Sequence, residues 1–313
     1  MRIDQLRSLL RILEVGSFRQ AADELHLSQP ALSESLKALE RELGAQLLER
    51  SRSGVSLTDV GREVLPYVRT IVEAETALKT EVEGHRGLTR GSLRIASTNA
   101  GTSTILPSVL RSFHSRFPDV QLQVTEAGSR RIEEKVKDGH YDLGLVVNRS
   151  QRDSFSPSII AQPLLVSPLV VCVPTDHRFT RAGAVTADEV AKEPLILFPS
   201  DYFMHDLTLR ILADYELNVV FYSDNTDSVK RMIAGRIGIT ILPEFSVYPD
   251  LLKEEGEIRH VPLDGEHDPL GLHLIRRRTG YTSRAVREVW GDLVTAAESV
   301  TSVLGQARQR LRQ

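Results

Sequence analysis

The sequence predicts a multidomain α/β chain: a helical front closed by a short hairpin, one long linking helix, and a rear of two α/β lobes. Three observations predict it. The chain has 313 residues, more than the roughly 100 to 200 that one hydrophobic core usually serves. Apolar residues recur at three- and four-residue steps as far as about Gly84, the period of amphipathic helices. Beyond Gly91 short apolar runs alternate with helical stretches, the pattern of α/β units.

The first helix carries Ile3, Leu6, Leu9, Leu10 and Leu13 and ends at Gly16 and Ser17. A second runs from about Phe18 to Leu25, with Ala21 and Ala22 small enough to let helices cross closely. Ser28 is a good N-cap and Pro30 is tolerated in a first turn, so a third helix follows, with Leu32, Leu36, Leu39 and Leu43 as its buried stripe and Gly44 as its stop. Leu47 to Leu57 reads as a hairpin with Gly54 at its tip. Thr58 caps a longer helix whose Val60, Val64, Val68, Ile71, Leu78 and Val82 form a stripe, with Pro66 expected to kink or loosen it. That stripe needs a cover. A second copy of the chain is the economical one, and packing onto its own chain is the alternative.

The rear reads as strand Leu93 to Ser97, helix Ile105 to Phe117, strand Val120 to Glu126, helix Arg130 to Asp138 and strand Asp142 to Val147. This order suits a largely parallel sheet. A second set follows: Leu164 to Val173 as one strand, Leu195 to Phe198, a helix near Asp206 to Tyr215, Val219 to Ser223, helix Asp227 to Ala234 and Gly238 to Leu242. Leu270 to Ile275 and a helix from about Ser283 then return to complete the first lobe, leaving a cleft between the two.

Composition excludes several classes. Net charge is -3, with 41% hydrophobic and 26% charged residues, an ordered globular make-up with no global attraction to nucleic acid or anionic membrane. The single cysteine, Cys172, rules out an intrachain disulfide or a four-cysteine metal site and, in an apolar run, reads as an inert core residue. The leucines near the N-terminus are interrupted by Asp4, Arg7, Arg11 and Glu14, unlike a secretory signal, and the longest apolar stretch is too short to cross a bilayer. A cytoplasmic location and no membrane partner are expected. No His-Glu-x-x-His, Gly-x-Ser-x-Gly, phosphate-loop or dinucleotide motif occurs, so no enzymatic activity is expected. His260, His267 and His273 have neither helical nor zinc-finger spacing and read as surface residues; no metal or cofactor is expected.

Phe18 to Leu43 has the grammar of a helix-turn-helix. The start of the following helix presents Ser28, Gln29, Pro30, Ala31, Ser33 and Ser35. Glutamine pairs bidentately with adenine, hydroxyls donate or accept, and Pro and Ala can touch a thymine methyl. Charge in residues 1–56 is balanced, however. Arg2, Arg7, Arg11, Arg19, Lys37, Arg41, Arg50 and Arg52 are matched one for one by Asp4, Glu14, Asp23, Glu24, Glu34, Glu40, Glu42 and Glu49. DNA contact must then come from arrangement, with Lys37, Arg50, Arg52 and Arg19 facing phosphates. Arg50 could equally brace the hairpin through an internal ion pair.

With these residues in view, the front resembles the DNA-binding domain of LysR-type transcriptional regulators. The likeness lies in Gly16-Ser17-Phe18, Ala21-Ala22, Leu27-Ser28-Gln29-Pro30-Ala31-Leu32-Ser33, Leu39-Glu40, Leu43-Gly44, Glu49-Arg50 and Leu57-Thr58-x-x-Gly61. It extends through Leu106-Pro107, Phe117-Pro118, Gly139-x-Tyr141-Asp142-Leu143, Ile233-Ala234-Gly235-x-x-Gly238-Ile239 and Leu242-Pro243. The resemblance implies a winged helix-turn-helix, a dimerising linker helix and a two-lobed effector-binding domain similar to periplasmic binding proteins, assembled as a homodimer or homotetramer. It also implies double-stranded DNA with an interrupted inverted repeat, a small-molecule effector that alters DNA binding or bending, and RNA polymerase as partner. Glu34, Ser35 and Leu48 depart from the family's usual residues, so the operator sequence does not transfer. The expected boundaries are 1–58, 59–88 for the linker helix, 89–162 with 266–300 for lobe I, 163–265 for lobe II and 301–313 for a tail.

Ligands of open α/β sheets collect at the carboxyl ends of strands, facing helix N-termini. Ser97, Thr98, Asn99, Thr102 and Ser103, then Gly128 and Ser129, Asn148, Ser200, and Asn225 with Thr226 lie at such places. Their donors favour a small anion, such as a carboxylate; the alternative is that these residues only cap helices. Two other readings stay open: a solute-binding receptor without a gene-regulatory role, against which the lack of a secretory-type signal counts, and an allosteric enzyme with a fused DNA-binding front.

Overall fold

The computed structural model describes residues 1–51, 54–84, 91–149, 155–247, 257–279 and 282–311. The chain divides into two compact units, Met1–Leu88 with Thr279–Ser283, and Thr89–Arg278 with Arg284–Gln313.

The first unit holds α1 (Ile3–Val15), α2 (Phe18–Glu24), α3 (Gln29–Leu43), the hairpin β1 (Leu48–Ser51) and β2 (Gly54–Leu57), and α4 (Asp59–Gly84). Its core is Leu6, Leu9, Ile12, Phe18, Ala21, Leu32, Leu36 and Leu39, closed by Leu47 and Leu48 from the hairpin. Ser17 caps α2 through Gln20 N, and Ser28 caps α3 through Ala31 N at 3.3 Å. Gly16 and Gly44 end α1 and α3 at φ +68°, a left-handed conformation that favours glycine. Thr58 ties hairpin to α4: its hydroxyl accepts from Gly61 N at 2.9 Å and donates to Gln46 O at 2.7 Å.

The helix α4 runs unbroken through Pro66. Its expected single stripe divides in two. Val64, Val68 and Val72 pack on the core of the first unit, and Arg7 bonds Glu75, so this side is covered by the chain itself. Val60, Tyr67, Ile71 and Leu78 face outward instead. The steps of seven, four and seven between them are those of a coiled-coil seam.

Lobe I of the second unit is built on a five-stranded sheet of order β4-β3-β5-β12-β6: β3 (Gly91–Ser97), β4 (Val120–Glu126), β5 (Leu143–Arg149), β6 (Ile159–Ser167) and β12 (Leu270–Arg277). Parallel pairing is confined to β3 with β4 and β5, while β12 runs antiparallel between β5 and β6, so the sheet is mixed. Short α5 (Asn99–Thr104) precedes α6 (Leu106–Arg116), and α7 (Ser129–Lys137) covers the sheet. In lobe II, β7 (Leu169–Pro174) is the middle of an antiparallel set with β10 (Thr240–Pro243) and β11 (Ile258–Pro262). Beside it are the parallel pair β8 (Leu195–Leu197) and β9 (Val219–Tyr222), and the helices α8 (Ala187–Ala191), α9 (Phe203–Ile211) and α10 (Thr226–Ala234). The last helix, α11 (Arg284–Leu311), packs on α6 and β6.

Four expectations need correction. Leu164 to Val173 is two strands: β6 pairs with β12 in lobe I and β7 with β10 and β11 in lobe II, the chain passing from one sheet to the other at Pro168. The first crossing between lobes therefore falls at Pro168 and not at residue 163. The connection between β3 and the expected helix holds a short helix of its own, α5, while the helix expected over Ile105 to Phe117 forms as α6 within a residue of those ends. The tail expected from residue 301 is a continuation of α11, held by Val300 and Leu304, which are 7% and 4% exposed. His273 is buried in the middle of lobe I, and His260 is half-buried on β11 opposite Cys172, so neither stands free on the surface.

Candidate functional site

Capping, and not chance, exposes the N-terminus of α3. The Ser28 hydroxyl is spent on Ala31 N, and Gln29, Pro30 and Ala31 then stand in solvent. At ~100° per residue Gln29, Ser33 and Lys37 share one flank, while Ser35 lies on the other side of the buried stripe. Ser35 is half-buried and its carbonyl accepts from the Gln5 side chain at 3.3 Å. The structure therefore brings Gln29, Ser33 and Lys37 together and leaves Ser35 apart, facing α1.

Ion pairing sorts the balanced charges. Arg7 bonds Glu75, Arg11 bonds Glu14 and Glu24, and Arg41 reaches back along α3 to Glu34 at 2.6 Å. Lys37 and Arg19 are exposed and have no ion pair among the described residues. Arg50 pairs with Val55 across the hairpin. Arg52 lies outside the described residues.

Between the lobes is a small inner cavity with about 40 Å³ of free volume, enough for a few water-sized particles. Thr98, Asn99, Ala100, Ser129 and Val147 form its lobe I wall. Phe198, Tyr202, Phe203, Met204, Asp224 and Thr226 form its lobe II wall, with Leu242, Pro243 and Ser246 at the base. Thr98 and Asn99 stand where β3 gives way to α5, and Thr226 opens α10 behind its Asn225 cap, which accepts from Ser228 N at 2.9 Å. Outside it is a groove of about 820 Å³ between α7 and α9, lined by Ser129, Arg130, Glu133, Asn148, Phe155, Asp206 and Arg210. An Arg130–Asp206 ion pair crosses this groove, and Thr104 donates to Phe245 O at 3.2 Å beneath. These contacts hold the lobes together.

The polar groups of the cavity are not evenly satisfied. Thr98 is 8% exposed and its Oγ1 has no hydrogen-bond partner; Asn99 Oδ1 is likewise buried and unpaired. Burial pushes the Tyr202 phenol above its usual range, helped by Asp224, Asp201 and Glu126 and opposed by Arg131. Among the lining residues there is one carboxylate, Asp224, and no lysine or arginine. The inner cavity thus offers a carboxylate no cationic side chain, only the N-termini of α7 and α10.

Of the predicted ligand residues, Thr98, Asn99, Ser129 and Thr226 meet in the cavity, and Asn148 joins Ser129 in the outer groove. The others have structural tasks. Ser97 is fully buried and donates to Thr98 O, Thr102 and Ser103 donate back along α5 to Thr98 O and Asn99 O, and Asn225 caps α10. Gly128 is buried where a side chain would meet Asp201 O at 3.3 Å, and Ser200 is exposed and lines neither space. The aromatic wall is not among the residues that capping and strand-end position single out. Its signal is in the sequence: Phe198, Tyr202 and Phe203 cluster just past a strand in a chain with only 5% aromatic residues.

Comparison with known proteins agrees with both halves. Residues 3–62 match the model of the bacterial regulatory helix-turn-helix protein, lysR family, and residues 86–298 match the LysR substrate binding domain. The HTH-type transcriptional regulator YwbI of Bacillus subtilis strain 168 is 30% identical over 289 residues, 92% of this chain and 94% of its own length. A full-length OxyR variant from Pseudomonas aeruginosa has the same fold, with a TM-score of 0.72 at 22% identity, covering 96% of each chain. Full-length CbnR complexed with its target DNA superposes with a TM-score of 0.59 at 20% identity, over 96% of this chain and 100% of that one. The helical unit with its exposed α3 and the two-lobed unit with its inner cavity are the two halves of a DNA-binding transcriptional regulator, and the chain belongs to the LysR family.

Proposed function

We propose that α3 enters the major groove of an interrupted inverted repeat in double-stranded DNA, where Gln29, Pro30, Ala31 and Ser33 read bases. Lys37 and Arg19 hold phosphates, and Arg50 and Arg52 work from the wing. Ser28 positions this end by capping it, and Ser35 acts through α1. The observation that carries this reading is the exposed start of α3 beside a lysine left out of ion pairing while the neighbouring Arg41 is neutralised. Two subunits pair through the outward seam of α4, which sets the spacing of the half-sites. A small effector in the inner cavity shifts the lobes and with them DNA binding or bending; RNA polymerase is the further partner, and the protein works in the cytoplasm without catalysis.

A mobility shift on the DNA upstream of the protein's own gene tests this. The reading predicts preference over scrambled DNA and an affinity that falls steeply with salt. No preference would point to the receptor reading instead.

A further inference from the structure

We propose that the ligand of the inner cavity is a small primary ammonium with a short apolar group, and not a carboxylate. The proposal rests on the reading of that cavity as the effector site. The unpaired acceptor decides the polarity of the ligand. Asn99 Nδ2 points to the Glu126 carboxylate at 3.5 Å, and because a carboxylate only accepts, the amide orientation is set and Oδ1 is the atom left buried without a donor. Thr98 Oγ1, on a residue 8% exposed in the cavity wall, is unpaired too, though a hydroxyl donates as well as accepts and suits a ligand of either polarity. A buried acceptor without a donor costs free energy that a bound N–H recovers.

Charge points the same way. Asp224 lines the cavity without a cationic neighbour in the lining, Arg130 is committed to Asp206, and Asp201 and Glu126 add their field. The N-termini of α7 and α10 oppose this with about half a positive charge each. At the Tyr202 phenol the three carboxylates, opposed by Arg131, reinforce the effect of burial. Phe198, Tyr202 and Phe203 supply the aromatic faces that attract an organic cation and cover its apolar group.

Calorimetric titration of the full-length protein with butylamine, butan-1-ol and butyrate tests the proposal, with Asp224→Asn as the variant because that side chain is exposed and its change is isosteric. Butylamine should bind at least tenfold more tightly than butyrate, and Asp224→Asn should weaken butylamine about tenfold while leaving butan-1-ol unchanged. Equal or tighter binding of butyrate, no binding of butylamine, or an unchanged butylamine affinity in Asp224→Asn overturns it. Filling the cavity with Ala100→Leu, or with Met204→Trp should the first not fold, separates the two readings. If butyrate binds best and the filled variant loses it, the ammonium proposal falls and the cavity stands; if a filled variant keeps its ligand, the cavity itself is not the site.

Discussion

Gly61 sits where the wing meets α4, and Gly61→Ala is a perturbation whose size follows from the geometry. A Cβ at this position would lie 2.2 Å from the carbonyl oxygen of Leu47, less than the 3.0 Å below which real Cβ atoms essentially never approach. Leu47 O must retreat, and it is the acceptor for Thr58 N at 3.0 Å and for the Thr58 hydroxyl at 3.3 Å. Weakening those bonds costs ~1 kcal/mol each and the overpacking ~1 to 3 kcal/mol, offset by ~1 kcal/mol from the better helix propensity of alanine. The net loss is about 2 to 4 kcal/mol, which lowers the melting of a unit this small by at least about 8 °C. The assay has an internal control: the only tryptophan, Trp290, is in α11, where its indole donates to Gln162 at 2.8 Å. Circular dichroism should show an early helical transition while tryptophan fluorescence keeps its midpoint. Unchanged melting by both probes would refute the reasoning, because it would mean the wing-to-helix joint has slack.

Other changes separate other parts of the account. Lys37→Ala should weaken binding to specific and random DNA alike and reduce the slope of log affinity against log salt by about one; an unaltered slope would remove Lys37 from the phosphate contacts. Thr98→Val removes a buried unpaired hydroxyl at nearly constant shape, so the protein without ligand should keep or gain up to ~1 kcal/mol of stability while its response to effector falls. A clear loss of stability would mean that the hydroxyl is satisfied after all. Burial holds the imidazoles of His260 and His273 below their ordinary value of 6.5, with Glu244 raising and Arg259 lowering the former. The unfolded chain therefore takes up protons that the native lobes do not as pH falls below about 6.5, and stability present above that pH is lost below it. His273→Leu should flatten the decline, as urea unfolding at a series of pH values would report; an identical slope would contradict burial of a neutral imidazole.

Where local chemistry settles structure, the chain could be read directly. Ser28 before Pro30, Gly44 after Leu43 and Thr58 before Gly61 are caps and stops, and the elements they bound appear where they are expected. Distant choices were not legible. Nothing in Leu164 to Val173 says that its two halves serve different sheets; only pairing with β12 on one side and with β10 and β11 on the other decides it. The same holds for α4, whose valines face their own core because α1 lies there, leaving a narrower seam than the periodicity suggests. In the cavity, hydroxyl and amide residues at strand ends looked alike in sequence, yet most are consumed by capping and local backbone bonds, and the wall comes from aromatic residues on the opposite lobe.

The central claim, that the start of α3 reads bases, is tested most directly by one ratio. Fluorescence anisotropy gives the affinity of the wild-type protein and of Gln29→Ala for the upstream DNA of its own gene and for a scrambled duplex at the same salt. The account predicts that Gln29→Ala loses ~1 to 3 kcal/mol on the upstream site and little on the scrambled one, so that the specificity ratio collapses. Equal losses on both duplexes, leaving the ratio intact, would contradict it.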